Sequence, residues 1–195
     1  MKTALWLLWL LGVLGAFDTL YYHEWRARLP GWSASSGIEL RLHAWRDFIY
    51  AVLFGTLPWV AWHGAWAILL AALLFAEIAI TLADFTCEDR VRAPIGGVYP
   101  GERATHGIMG IVYGAMLGHL APVVALWWAK PTALSLTPAP VPEGLRWTLA
   151  AMAAGVLLSG LRDLASAHGI PKSSWPWEQN THSASSSTEG PTPLR

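Results

Sequence analysis

The sequence predicts an all-α integral membrane protein: a four-helix transmembrane bundle made of two duplicated helical hairpins, with a fifth transmembrane helix beside it. Three observations lead there. Of 195 residues, 54% are apolar and only 13% charged, about half the charged share of an ordinary soluble domain. Five stretches approach the roughly 20 apolar residues needed to cross a bilayer core about 30 Å thick. The chain also carries an internal repeat that pairs the first four of those stretches.

Composition narrows the function classes. Thirteen acidic and thirteen basic side chains cancel, which argues against a nucleic-acid partner. A single cysteine, Cys87, excludes a disulfide framework or a cysteine-rich zinc module. Thirteen tryptophans suit a protein anchored at membrane–water interfaces.

The spans are expected at Ala4–Tyr22, Ala44–Trp62, Ala65–Phe85, His106–Trp128 and about 147–163. A transmembrane domain then covers residues 1–165, with hairpin one at about 4–62 and hairpin two at about 65–128. A signal peptide is the competing reading of the first stretch. Its long apolar run and the missing small-x-small cleavage site argue against that. The Pro-, Ser- and Thr-rich run Lys130–Glu143 reads as an external loop, and residues 166–195 as a disordered cytoplasmic tail. Ten basic residues fall on one side of the predicted topology and three (Lys2, Lys130, Arg146) on the other. Cytoplasmic loops hold the excess of Lys and Arg, so a multi-pass cell-membrane protein is expected, N-terminus outside and C-terminus cytoplasmic.

The repeat is visible residue by residue. Glu24-Trp-Arg26-Ala-Arg28-Leu-Pro30 matches Glu88-Asp-Arg90-Val-Arg92-Ala-Pro94, and Glu39-x3-His43 matches Glu102-x3-His106. Tyr50, Gly55 and Leu57 then match Tyr113, Gly118 and Leu120. The two blocks are offset by 64 and 63 residues, so one loop differs by a single residue. Both copies cross the membrane twice and have the same topology, which implies a pseudo-twofold axis along the membrane normal.

Residues three or four apart on a helix share a face. The repeat therefore gathers Glu24, Glu39, His43, Glu88, Glu102 and His106 near the cytoplasmic end. Ionisable groups inside a membrane are costly and usually functional. Two carboxylates and two Glu–His pairs from four helices are similar in count, type and symmetry to the ligand scheme of carboxylate-bridged dinuclear bundles. The spacing departs from it, being E-x3-H where that scheme has E-x2-H. Oxygen and imidazole ligands suit iron best, with manganese or zinc as alternatives, so two divalent transition-metal ions are the expected cofactors. Asp18, His23, Asp47 and Asp84 are candidate outer partners that orient the ligands. Tyr50, Tyr113 and Glu77, deeper in the bilayer, are the candidate catalytic residues. Arg26, Arg28, Arg90 and Arg92 could instead neutralise the carboxylates as a structural network.

The function expected from this pattern is a membrane oxidoreductase of the hydroxylase, desaturase or oxidase type, acting on a lipophilic substrate. No dinucleotide fingerprint or iron–sulfur cysteine set occurs, so a separate electron donor is implied, and oligomers are compatible with it. A b-type haem carrier is one alternative, from His106 and His119 thirteen residues apart, although the first copy has Thr56 where the second has His119. A non-enzymatic transport or assembly protein with a buried charge network is the other.

Overall fold

A computed structural model describes residues 1–177, and the fold it gives is all-helical but for one small strand pair. Helix α1 (Lys2–Phe17) runs without interruption into a π-helical segment, Asp18–Ala27. A 3-10 turn, Leu29–Trp32, leads to α2 (Ser33–Thr56). Strand β1 (Val60–His63) joins α2 to α3 (Ala65–Arg92), and a 3-10 turn at Ala93–Ile95 precedes α4 (Pro100–Trp128). Strand β2 (Ala133–Leu136) then leads to α5 (Glu143–Ala167).

Four of these helices are long and apolar enough to cross a membrane: Lys2–Ala27, Ala65–Ile95, Pro100–Trp128 and Glu143–Ala167. Their outward faces carry Phe75, Ile111, Leu126 and Leu158, each more than two-thirds exposed. A water-soluble protein seldom displays so large an apolar surface, whereas acyl chains solvate it. This is a membrane protein.

The second helix departs from expectation. It begins at Ser33 and stops at Thr56, well short of the predicted end at Trp62. Every 18-residue window within it contains Glu39, Arg41, Arg46 and Asp47, which removes it from the group of plainly apolar spans. Its polar face is enclosed by the other helices: Glu39 is fully buried and His43 nearly so.

The packing partners also differ from simple hairpins. The α1 helix packs against α4, and α2 packs against α3 and along the length of α5. Consecutive α1 and α2 share little contact. Close approach of α2 and α5 depends on Gly160, where a Cβ would lie 3.0 Å from the Asp47 Cβ and 3.1 Å from the Ala44 carbonyl oxygen. The apolar core fills the half of the bundle nearest Met1, around Leu5, Leu8, Leu53, Leu70, Met116 and Leu149.

The strand pair was not anticipated. Ala133–Leu136 lies in the run read as an external loop, yet it pairs antiparallel with β1, Val60 opposite Leu136 and His63 opposite Ala133. Gly64 makes this corner possible. Its φ is +58°, and a Cβ there would meet the Thr132 Oγ1 at 2.5 Å. The freed space lets Thr132 Oγ1 accept a hydrogen bond from the Ala65 N–H at 3.1 Å, capping α3.

At the opposite end, Pro30 and Pro94 both sit in the short 3-10 turns that follow the first and third spans, as a residue unable to continue a helix should. The segment expected to be disordered from Ser166 is in part folded. Helix α5 reaches Ala167, Ser166 is fully buried, and the chain turns back through Trp177, whose indole N–H donates to Glu24 at 2.9 Å. Residues 178–195, the rest of that predicted tail, lie outside the described residues.

Candidate metal centre

The π-helical segment decides where the first ligands point. In an α-helix, Asp18 and His23 would face apart, since five residues overshoot one turn by more than a third. The i→i+5 repeat of a π-helix sets them one above the other, and His23 Nε2 lies 3.2 Å from Asp18 Oδ2. Glu102 and His106 on α4, and Glu39 and His43 on α2, reach the same level from ordinary i,i+4 positions. Glu102 sits at the third position of α4 behind Pro100, and its Oε2 accepts from the Tyr99 N–H at 3.4 Å. That cap leaves Oε1 free to face the bundle interior.

The buried groups form one unbroken polar chain across the bundle. Asp84 accepts from or shares a proton with His43 at 3.1 Å, and His43 is 3.8 Å from Glu39. Arg92 donates to Glu39 at 2.5 Å and lies 2.8 Å from Glu102. Glu102 is 3.2 Å from His23, which touches Asp18. Asp18 is 3.1 Å from His106 Nε2, and His106 Nδ1 is 3.7 Å from Glu88. The His23 and His43 rings stack in parallel at 4.6 Å, and Phe85 stacks on His106 at 5.2 Å.

Two sets within this chain have ligand atoms close enough to share an ion. One is Asp18, His23, Glu102 and His106; the other is Glu39, His43 and Asp84. All seven residues are buried. Asp18 Oδ1, Glu39 Oε2 and Asp84 Oδ1 are buried without a hydrogen-bond donor. Buried carboxylate oxygens normally find a donor, so each set offers acceptor capacity that a cation could use. Charge counting points the same way. Five carboxylates (Asp18, Glu39, Asp84, Glu88, Glu102) meet two arginines, Arg92 and the more distant Arg46, 3.7 Å from Asp84. Three negative charges remain, and enclosed carboxylates in that state bind cations or take up protons.

The six residues singled out from the repeat do not all meet. Glu39 and His43 enter one set, Glu102 and His106 the other, and Glu88 touches the second from outside. Glu24 is separate. It pairs with the Arg162 guanidinium and with Trp177, because α5 and the segment after it cover that side of the π-helix. Asp18, His23 and Asp84, expected as outer partners, stand inside the sets. Asp47 faces α5 and belongs to neither. Of the four arginines named as possible partners of the carboxylates, Arg92 takes that place: it is fully buried and joins the two sets. Its repeat counterpart Arg28 is exposed, and neither Arg26 nor Arg90 enters the chain of contacts.

The candidate catalytic residues lie deeper. Glu77 is buried and accepts from the hydroxyls of Tyr50 at 3.1 Å and Thr81 at 3.0 Å. Tyr113 donates to the Leu74 carbonyl at 3.0 Å. All three line a mostly apolar cavity of about 320 Å³ whose wall also includes His106 and the exposed Leu82 side chain. A second cavity, about 260 Å³, lies beyond Tyr50 and Arg46 and touches Asp18. Leu11, Arg46, Tyr50 and Met109 line both cavities. Compared with protein-family models, with curated proteins and with solved structures, the chain matches none.

Proposed function

We propose that the protein is a multi-pass cell-membrane oxidoreductase that holds two transition-metal ions in the two buried carboxylate–histidine sets and acts on a lipophilic substrate. The observation that carries this reading is the pairing of those sets with an apolar cavity. His106 lines a 320 Å³ space walled largely by carbon and bordered by outward-facing residues of α3 and α4. An acyl or isoprenoid chain entering sideways would bring its reactive carbon beside that imidazole. Bound ions, iron the best match for oxygen and imidazole donors, would supply the redox chemistry. The protein's own part is to exclude water, to hold the ligands, and to place Tyr50, Tyr113 and Glu77 along the substrate. Electrons would come from a separate donor at the charged end.

The duplication belongs to the same proposal. A twofold exchange of the two hairpins turns the α1–α4 contact into the α3–α2 contact, and both are present. It also turns Asp18–His106 into Asp84–His43, each at 3.1 Å. Asp18 stands two residues out of repeat register with Asp84, and the wider turns of the π-helix absorb the difference. Orientation rests on the ten-to-three asymmetry of Lys and Arg in the topology the sequence predicts. A cytoplasm-active reporter fused after Arg195 should be active, and one fused beside Lys130 inactive. The reverse result would invert the protein in the membrane.

The test of the function is elemental analysis of detergent-purified protein beside the His43→Ala/His106→Ala variant. Two metal equivalents in the wild type, lost in the variant, support the centre. Oxygen consumption with an added reductant supports the redox assignment. A wild type free of metal would favour the second reading, for which Arg92 speaks: a non-enzymatic transport or assembly protein with a buried charge network.

A further inference from the structure

Four arginines at the charged end of the bundle, Arg26, Arg28, Arg41 and Arg90, have no carboxylate partner among the described residues, and two of them share a cavity. Arg26 and Arg28 border a cavity of about 580 Å³ walled by Trp25, Trp32, Ile95 and Trp177. Elsewhere at this end the arginines are mostly spoken for: Arg46, Arg92, Arg103 and Arg162 each have an acidic partner. The Arg26 guanidinium instead lies 4.6 Å from the centre of the Tyr99 ring, and that of Arg28 lies 4.7 Å from the centre of Trp177. Stacking holds a planar guanidinium by its face. The Arg26 guanidinium also hydrogen-bonds the Tyr99 and Tyr21 hydroxyls, whereas Arg28 makes no side-chain hydrogen bond among the described residues and keeps its N–H edge open, the part that receives a phosphate in a two-pronged grip.

The backbone adds a second observation. Arg28 has φ 53° and ψ 43°, in the left-handed region. Glycine would adopt this without cost, and side chains other than Asn, Asp and His are uncommon there. Strain of this kind is retained where the side chain has a task. The tryptophans fit the location, because amphipathic rings settle at the level of lipid headgroups.

We propose that this cavity binds a phosphate group, that of an anionic phospholipid headgroup, between Arg26 and Arg28. Arg28 grips the phosphate oxygens by its N–H edge, Arg26 adds the N–H groups its tyrosine partners leave over, and Trp25 and Trp32 border the lipid's glycerol. The site does not depend on the metal centre. It lies on the other face of the π-helical segment, whose buried side carries Asp18 and His23.

The full chain in detergent can be titrated with phosphatidylglycerol or phosphatidylcholine, with bound lipid read by native mass spectrometry. Wild-type protein should retain phosphatidylglycerol in preference to phosphatidylcholine. An arginine near an anionic lipid surface contributes enough that losing two weakens binding about thirtyfold, the result expected for Arg26→Gln/Arg28→Gln. Arg41→Gln/Arg90→Gln removes the same charge from exposed positions at the same end and should leave binding nearly unchanged. Arg28→Gly relieves the left-handed strain, so it folds, and should still bind about fivefold more weakly. Inorganic phosphate added as competitor separates the sources: displacement of the lipid means free phosphate is also a ligand, and no displacement confines the site to lipid. The proposal is overturned by equal binding of both lipids, by unchanged binding in Arg26→Gln/Arg28→Gln, or by an equal loss in Arg41→Gln/Arg90→Gln.

Discussion

Replacing Arg92 with methionine is expected to destabilise the fold by about 3–5 kcal/mol, the cost of leaving buried charges without their partner. The side chain is fully buried and makes contacts of 2.5 Å to Glu39 and 2.8 Å to Glu102. Methionine fills much of the same volume, so the loss would be electrostatic rather than a cavity. Thermal unfolding in detergent should show a fall in Tm on the order of 10 °C. Adding Glu39→Gln should restore part of it, because one of the two stranded charges is then removed. A fall under about 1 kcal/mol, within the range of an exposed ion pair, would mean that Arg92 does not hold the two carboxylates together.

Metal binding should distinguish His23 from its neighbour Glu24. His23 shares a ligand set with Asp18, Glu102 and His106, while Glu24 is turned to Arg162 and Trp177. His23→Ala should weaken metal retention by more than the roughly 10–100-fold that the loss of an outer partner costs. Glu24→Ala should leave the metal content of purified protein unchanged. If Glu24→Ala strips the metal and His23→Ala does not, the ligands are those of the sequence repeat and the two sets are wrongly drawn.

The contrast between those neighbours shows what the sequence could and could not reveal. Hydropathy located the first, third, fourth and fifth spans, because each exposes an apolar surface to lipid whatever its partners are. The i,i+4 rule placed Glu39 beside His43 and Glu102 beside His106 for an equally local reason. Such spacing carries no trace of a π-helix, which requires tertiary contacts to hold its wider turns. Asp18 and His23 therefore looked peripheral, and Glu24 looked central. The same local event separates Arg28 from Arg92. The π-helix ends at Ala27 and throws Arg28 into a left-handed turn, whereas α3 stays α-helical to Arg92 and carries it into the core. Two residues alike in the repeat thus have opposite burial. The β1–β2 pair was hidden as well, since four-residue strands separated by about seventy positions leave no periodic signal.

That strand pair bears on how the bundle is held together. A two-stranded ribbon has little stability of its own, but β1 and β2 tie the α2–α3 connection to the α4–α5 connection, with Gly64 N–H donating to the Trp127 carbonyl at 2.9 Å beside them. Four helices are clasped at the end that holds the leucine core. At the other end the connections are short turns with no strand between them. The bundle is built like a pair of tongs: its grip is fixed at the apolar end, and the jaws close on the buried charges. One end is thus held by backbone hydrogen bonds around Gly64, and the other by side-chain ion pairs such as those of Arg92 and Arg162.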